Sequence, residues 1–98
     1  MSIKNRERDV ESRLASSLKK IGLPCLKFEP SNCIGMPDRL VLLPGGKVMW
    51  IEVKTDGGSL EEIQKLRHRE LESMGHTVRV VWSKEDVDDL IEEIKKAL

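Results

Sequence analysis

Two short apolar segments on either side of Pro44-Gly45-Gly46 constrain this chain more than anything else in it. Residues 39–43 (RLVLL) are almost wholly apolar, as a strand buried on both faces would be. Residues 47–54 (KVMWIEVK) alternate: Met49, Ile51 and Val53 face one way, and Val48, Trp50, Glu52 and Lys54 the other. The short turn lets the two segments pair as a hairpin. That pairing brings Asp38, at the head of the first segment, near Glu52 in the second.

Two carboxylates and an ammonium crowded together are costly unless something compensates. A divalent metal held by the carboxylates would compensate, and would leave Lys54 facing a water or a phosphate. The chemistry this suggests is metal-assisted phosphodiester hydrolysis. Plainer readings exist for each residue alone. Asp38 suits a turn, and Glu52 suits a salt bridge with Lys54 or an edge strand. Glutamate is nonetheless poor in a central strand and costly to bury. The side chain of Val53 points to the opposite face, toward the core, while its backbone carbonyl remains able to reach a metal.

The rest of the chain supplies partners for the hairpin. Val10, Leu14, Leu18 and Ile21 make one apolar stripe of a helix over residues 4–21, closed by Gly22 and Pro24. Residues 25–29 form a short first strand, and 30–37 a loop. After Asp56-Gly57-Gly58, Ser59 and Glu62 read as a capping box opening a helix over 59–73, which Gly75 ends. Residues 77–82 (TVRVVW) form a fourth strand. Ser83 and Asp86 form a second capping box before a final amphipathic helix. The order αβββαβα predicts an α/β fold with a mixed four-stranded sheet flanked by helices.

The 98 residues predict one domain with a modest core. Net charge is zero but unevenly spread. Residues 1–54 hold ten Lys and Arg against six Asp and Glu; residues 55–98 hold seven against eleven. The basic half carries the acids of interest, which suits phosphate contacts by Lys4, Arg6, Arg8, Arg13, Lys19, Lys20, Lys27 and Arg39. Cys25 and Cys33 lack metal or disulfide spacing and read as reduced thiols. No apolar run approaches the ~18 residues of a membrane span, and no signal peptide opens the chain, so a cytoplasmic protein is expected. Three aromatic residues argue against single-strand recognition by stacking. His68 and His76 show no ligand spacing and read as surface residues. No base-reading motif is evident.

Several motifs in order carry a family resemblance. The segment Gly35-Met36-Pro37-Asp38-Arg39-Leu40-Val41-Leu42-Leu43, then Trp50-Ile51-Glu52-Val53-Lys54-Thr55, then Gln64 and Gly75, resembles the VRR-NUC family of the PD-(D/E)xK nuclease superfamily. The resemblance runs from about Glu7 to the end of the chain. It implies a restriction-endonuclease-like core and a DNA endonuclease using one or two Mg²⁺ or Mn²⁺ ions. Asp38 and Glu52 would hold metal, with the carbonyl of Val53 completing the shell. Glu11 of the first helix is the expected third acid, and Glu7, one turn earlier, its alternative; both otherwise read as solvated acids paired with Arg8 or Arg13. Lys54 would act at the nucleophile or phosphate. Gln64 would orient water or phosphate, and Thr55 could contact a phosphate. The chain is similar to stand-alone phage members acting as homodimers on branched DNA such as four-way junctions. A nucleic-acid-binding module without activity and a flap or duplex nuclease are the alternatives.

Overall fold

The computed structural model describes residues 6–55 and 57–98. Lys4 and Asp56 lie outside these residues. Seven elements follow the expected order: α1 (Glu7–Lys20), β1 (Cys25–Lys27), β2 (Arg39–Leu43), β3 (Lys47–Val53), α2 (Glu62–Ser73), β4 (Thr77–Val81) and α3 (Lys84–Ala97). The sheet order is β1-β2-β3-β4. The first three strands are antiparallel, and β4 joins β3 in parallel through the α2 crossover.

The alternation of β3 divides the molecule into two cores. Met49, Ile51 and Val53 join Val41 and the α1 stripe of Val10, Leu14 and Leu18, together with Val87, Leu90, Ile91 and Ile94 of α3. Burying these side chains supplies most of the hydrophobic stabilisation, each aliphatic side chain contributing about 1.5–3 kcal/mol. Trp50 faces the other way and packs with Leu71 of α2 and Val78 of β4. Phe28 and Met36 pack against this second cluster. Helices α1 and α3 therefore cover one sheet face, and α2 the other.

Local chemistry sets the ends of the elements. Beyond α2, the Gly75 amide donates to the Glu72 carbonyl and the His76 amide to the Leu71 carbonyl, both at 3.0 Å. This paired closure requires a left-handed residue, and Gly75 has φ +89°. The same pair of bonds closes α1 at Gly22 and Leu23. Ser83 caps α3 by accepting from the Asp86 amide at 3.0 Å. The Asp86 carboxylate in turn accepts from the Trp82 amide at 2.8 Å, one residue before the cap.

Several boundaries differ from the sequence reading; β4 stops at Val81 and α1 at Lys20, each one residue short. Strand β1 stops at Lys27, because the chain turns away into the loop before Pro37; Phe28 still donates its amide to the Asp38 carbonyl at 2.9 Å. Strand β3 ends at Val53, although the Lys54 amide continues the pairing to the Val81 carbonyl at 2.9 Å. Helix α2 starts at Glu62, with Glu61 as its cap. Its capping box is Glu61 with Gln64, so the box expected of Ser59 and Glu62 does not form. The bond that is well formed there is the Glu61 amide donating to Gln64 Oε1 at 2.9 Å, which satisfies one orphan amide at the helix start.

Candidate active site

The hairpin register puts the two carboxylates side by side. Arg39 pairs with Ile51 in the β2–β3 ladder, and one further step sets Asp38 opposite Glu52. Residues opposite one another point to the same sheet face, with Cβ atoms about 4.5–5.5 Å apart. Asp38 Oδ1 accepts from the Val53 amide at 3.2 Å, which anchors that side chain to β3. Glu52 is only 3% exposed. Lys54 follows on the same face, near enough for its charge to act on Glu52. Val53 itself is buried in the main core, as the alternation requires.

Helix α2 supplies partners for Glu52. Gln64 accepts the Glu61 amide on Oε1 at 2.9 Å, and its Nε2 donates to Glu52 Oε2 at 3.4 Å. His68 lies one turn later, with Nε2 3.2 Å from Glu52 Oε1. His68 is buried, which corrects its reading as a surface residue. His76 is also half-buried, and its Nδ1 accepts from Trp50 Nε1 at 3.2 Å. The isolated spacing of both histidines concealed this, since each is placed by tertiary packing. The only sequence signal for His68 is its four-residue distance from Gln64, which puts both on one helix face.

A cleft of about 430 Å³ opens over the two acids, lined by Asp38, Glu52 and Gln64 and by the loop residues Pro30, Ile34 and Met36. The loop is clamped to α2. Arg67 Nε donates to the Ile34 carbonyl at 2.8 Å. Gly35, at φ +89°, lies so close that an added Cβ would meet Ile63 Cγ1 and its carbonyl oxygen at 2.9 Å. Gly35→Ala is expected to cost about 1–3 kcal/mol of stability, through φ strain and overlap together. Chemical denaturation measures this. An unchanged midpoint would show that the loop is not held as described.

The acids of α1 divide their roles. Glu11 Oε2 accepts from Arg39 Nη2 at 2.9 Å, a partner other than the Arg8 or Arg13 expected. Arg13 instead grips Asp88 of α3 through two bonds, at 2.9 and 2.8 Å. Arg39 and Arg13 are thus engaged within the fold, whereas Arg6, Arg8, Lys19, Lys20 and Lys27 are exposed. Glu7 is exposed, and its charge acts on both Asp38 and Glu52; that of Glu11 acts on Asp38. Thr55 accepts the Gly58 amide on its carbonyl at 3.0 Å, just past the site.

Electrostatics set this pair apart. Burial, then repulsion from Glu52, pushes Asp38 up to about 6, against the stabilising Val53 amide. Burial pushes Glu52 up to about 7; the Lys54 ammonium opposes this and Glu7 reinforces it. Burial holds His68 below its usual value, with Glu72 opposing and Lys54 adding to the shift. Acids raised in the folded state bind protons more tightly there than in the unfolded chain. Their favourable contribution is complete below the ordinary carboxylate values of 3.8 and 4.5, and is lost as pH rises through about 6 and 7. His68 works in the opposite sense below about 6.5. Metal-free protein should therefore be more stable at pH 5.5 than at pH 8 by on the order of 1–2 kcal/mol after solvent screening, and should melt at a higher temperature there. Thermal melts across that range test this, and Asp38→Asn should remove only the part lost near pH 6, leaving the part due to Glu52 near pH 7.

The donor set fits a hard dication. Among the described residues, no three His, Cys, Asp or Glu side chains gather closely enough to hold a metal by themselves. Two destabilised carboxylates beside an open cleft suit an ion that keeps several waters and binds through one or two carboxylates and substrate phosphate, as Mg²⁺ does.

Comparison with known proteins places this geometry. The sequence profile of the VRR-NUC domain matches residues 3–85. The chain belongs to the VRR-NUC family. It is 36% identical over 86 residues to "Putative nuclease p44" of Acyrthosiphon pisum secondary endosymbiont phage 1, across 88% of this chain and 91% of that protein. It also superposes on a solved structure described as a VRR_NUC domain, with a TM-score of 0.82 and 30% identity, covering 90% of this chain and 96% of the other. The α/β fold with its mixed four-stranded sheet is therefore that of a VRR-NUC nuclease domain. In this VRR-NUC chain no helix among the described residues is long and apolar enough to cross a membrane. Cys25 and Cys33 are free thiols.

Proposed function

We propose that this VRR-NUC domain is a Mg²⁺- or Mn²⁺-dependent endonuclease that hydrolyses DNA phosphodiester bonds, with selectivity for branched DNA such as four-way junctions. The observation that carries the metal reading is the cross-strand pair Asp38 and Glu52, both held as reluctant anions beside a cleft. A dication bound there supplies Lewis-acid polarisation of the phosphate and a water acidic enough to attack at neutral pH. Asp38 and Glu52 would hold it, with the Val53 carbonyl available to the same shell. Of the α1 acids, Glu11 would add the third carboxylate, with Glu7 its alternative; the charges of both act on Asp38, and Glu11 is also paired with Arg39. Lys54 would stabilise charge on the phosphoryl oxygens. Gln64 would keep Glu52 oriented while presenting its amide to the cleft.

The exposed cations of α1 and β1 would give non-specific hold on the backbone, and no base-reading motif is evident among the described residues. Selection by DNA shape follows. Two symmetric cuts need two sites, which a two-fold homodimer would supply. The testing experiment incubates the protein with duplex, flap and four-way-junction DNA, each with Mg²⁺, Mn²⁺ or EDTA. Paired nicks in the junction, dependent on metal, and a solution mass near twice 11.2 kDa are expected. Binding without cleavage of any substrate would favour a nucleic-acid-binding module. Preferred cutting of flap or duplex would overturn the junction assignment.

A further inference from the structure

His68 belongs to none of the motifs that mark the site, yet it is bonded to the site's most buried carboxylate. Its ring is itself buried, and Nε2 lies 3.2 Å from Glu52 Oε1. Gln64 reaches the other oxygen, Oε2, at 3.4 Å from one turn earlier on the same helix. The Gln64 amide has one usable orientation: its oxygen accepts the Glu61 amide, so its nitrogen is the end that meets Glu52. An ionised Glu52 has no proton to give, so Nε2–H of His68 is the donor in that pair. Gln64 lines the cleft together with Glu52, and His68 is not among the lining residues, which favours Oε2, the oxygen that Gln64 meets, as the one nearer the cleft.

We propose that His68 is a positioning residue, which with Gln64 fixes the plane of the Glu52 carboxylate and turns Oε2 toward the cleft to receive a divalent cation. The proposal rests on the metal-dependent reading above. A glutamate side chain left alone must be ordered when a metal binds, at a cost in rotamer entropy. Two donors spaced by one turn of a rigid helix order it beforehand. Each carboxylate oxygen still has a second lone pair after accepting one bond, so the metal side stays open. Outer partners of this kind commonly set metal affinity.

The test compares His68→Gln with His68→Asn in the otherwise intact chain. Glutamine carries its amide nitrogen out to the place of Nε2, whereas asparagine stops one methylene short. Both are polar and smaller than the ring, so a general packing role would lower their melting temperatures alike. Mn²⁺ is titrated calorimetrically into metal-free protein, and kcat and KM are measured on DNA. His68→Asn should bind Mn²⁺ about 10–100-fold more weakly and lose kcat with KM for DNA unchanged, while His68→Gln stays within about threefold of wild type. Equal weakening in both variants, or wild-type affinity in His68→Asn, would overturn the assignment. A wild-type protein that takes up no Mn²⁺ would overturn it together with the metal reading, and that result is distinct from one in which wild type and His68→Asn bind alike.

Discussion

Asp38→Asn should yield a folded protein that binds DNA and cleaves it on the order of 10³-fold more slowly, or worse. Asparagine keeps the shape of the side chain and the oxygen that accepts the Val53 amide at 3.2 Å, so the strand geometry survives. It removes one of two negative charges from a half-buried place, which relieves the repulsion now felt from Glu52. DNA affinity should hold or rise, because carboxylate and phosphate no longer repel. The loss falls on the chemical step, where a metal contributes several kcal/mol and each 1.4 kcal/mol is about tenfold in rate. Single-turnover cleavage with DNA-binding titrations separates the two. An undiminished rate would remove Asp38 from the metal site.

The hairpin was legible because its signals are local. Alternation in residues 47–54 set the faces of Trp50, Glu52 and Val53, and the short turn at Pro44-Gly45-Gly46 set the register that brings Asp38 to Glu52. Helix α1 was legible from its stripe for the same reason, though its sequence could not say which arginine Glu11 would meet. That partner, Arg39, lies 28 positions away and is delivered by packing of α1 across the sheet. The start of α2 was misplaced because two capping signals overlap: Ser59 precedes the helix, but Glu61 and Gln64 close the box. His68 was misread because its burial comes from the face of α2 laid over Glu52, and no periodic pattern marks a histidine as inward. Phe28 and Met36, which no periodic pattern marks as inward, are likewise packed against Trp50's cluster by tertiary contacts.

Lys54→Ala should lose about 10²–10³-fold in cleavage while retaining metal binding. Lys54 lies past the end of β3, yet its amide still bonds Val81, so the side chain keeps the face of Glu52. An ammonium there would stabilise negative charge developing on the phosphate, and alanine would offer nothing in its place. The same ammonium holds Glu52 down against the effect of burial. In its absence Glu52 should titrate higher, and the acid limb of the rate profile should move to higher pH. Rate–pH profiles with Mn²⁺ titrations of wild type and variant read both effects. A folded Lys54→Ala protein that no longer takes up Mn²⁺ would contradict a role at the phosphate and make the lysine part of the metal site's own architecture.

The central claim is that Asp38 and Glu52 together hold a divalent cation. Calorimetric titration of Mn²⁺ into the metal-free protein at pH 7, repeated in two buffers of different ionisation enthalpy, tests it most directly. With Asp38 pushed up to about 6 and Glu52 to about 7, part of the population carries protons that a metal must displace. Saturable Mn²⁺ binding accompanied by proton release is expected, with Asp38→Asn losing both. Binding that is unchanged in Asp38→Asn, or absent from a wild-type protein that cleaves DNA in EDTA, would contradict it.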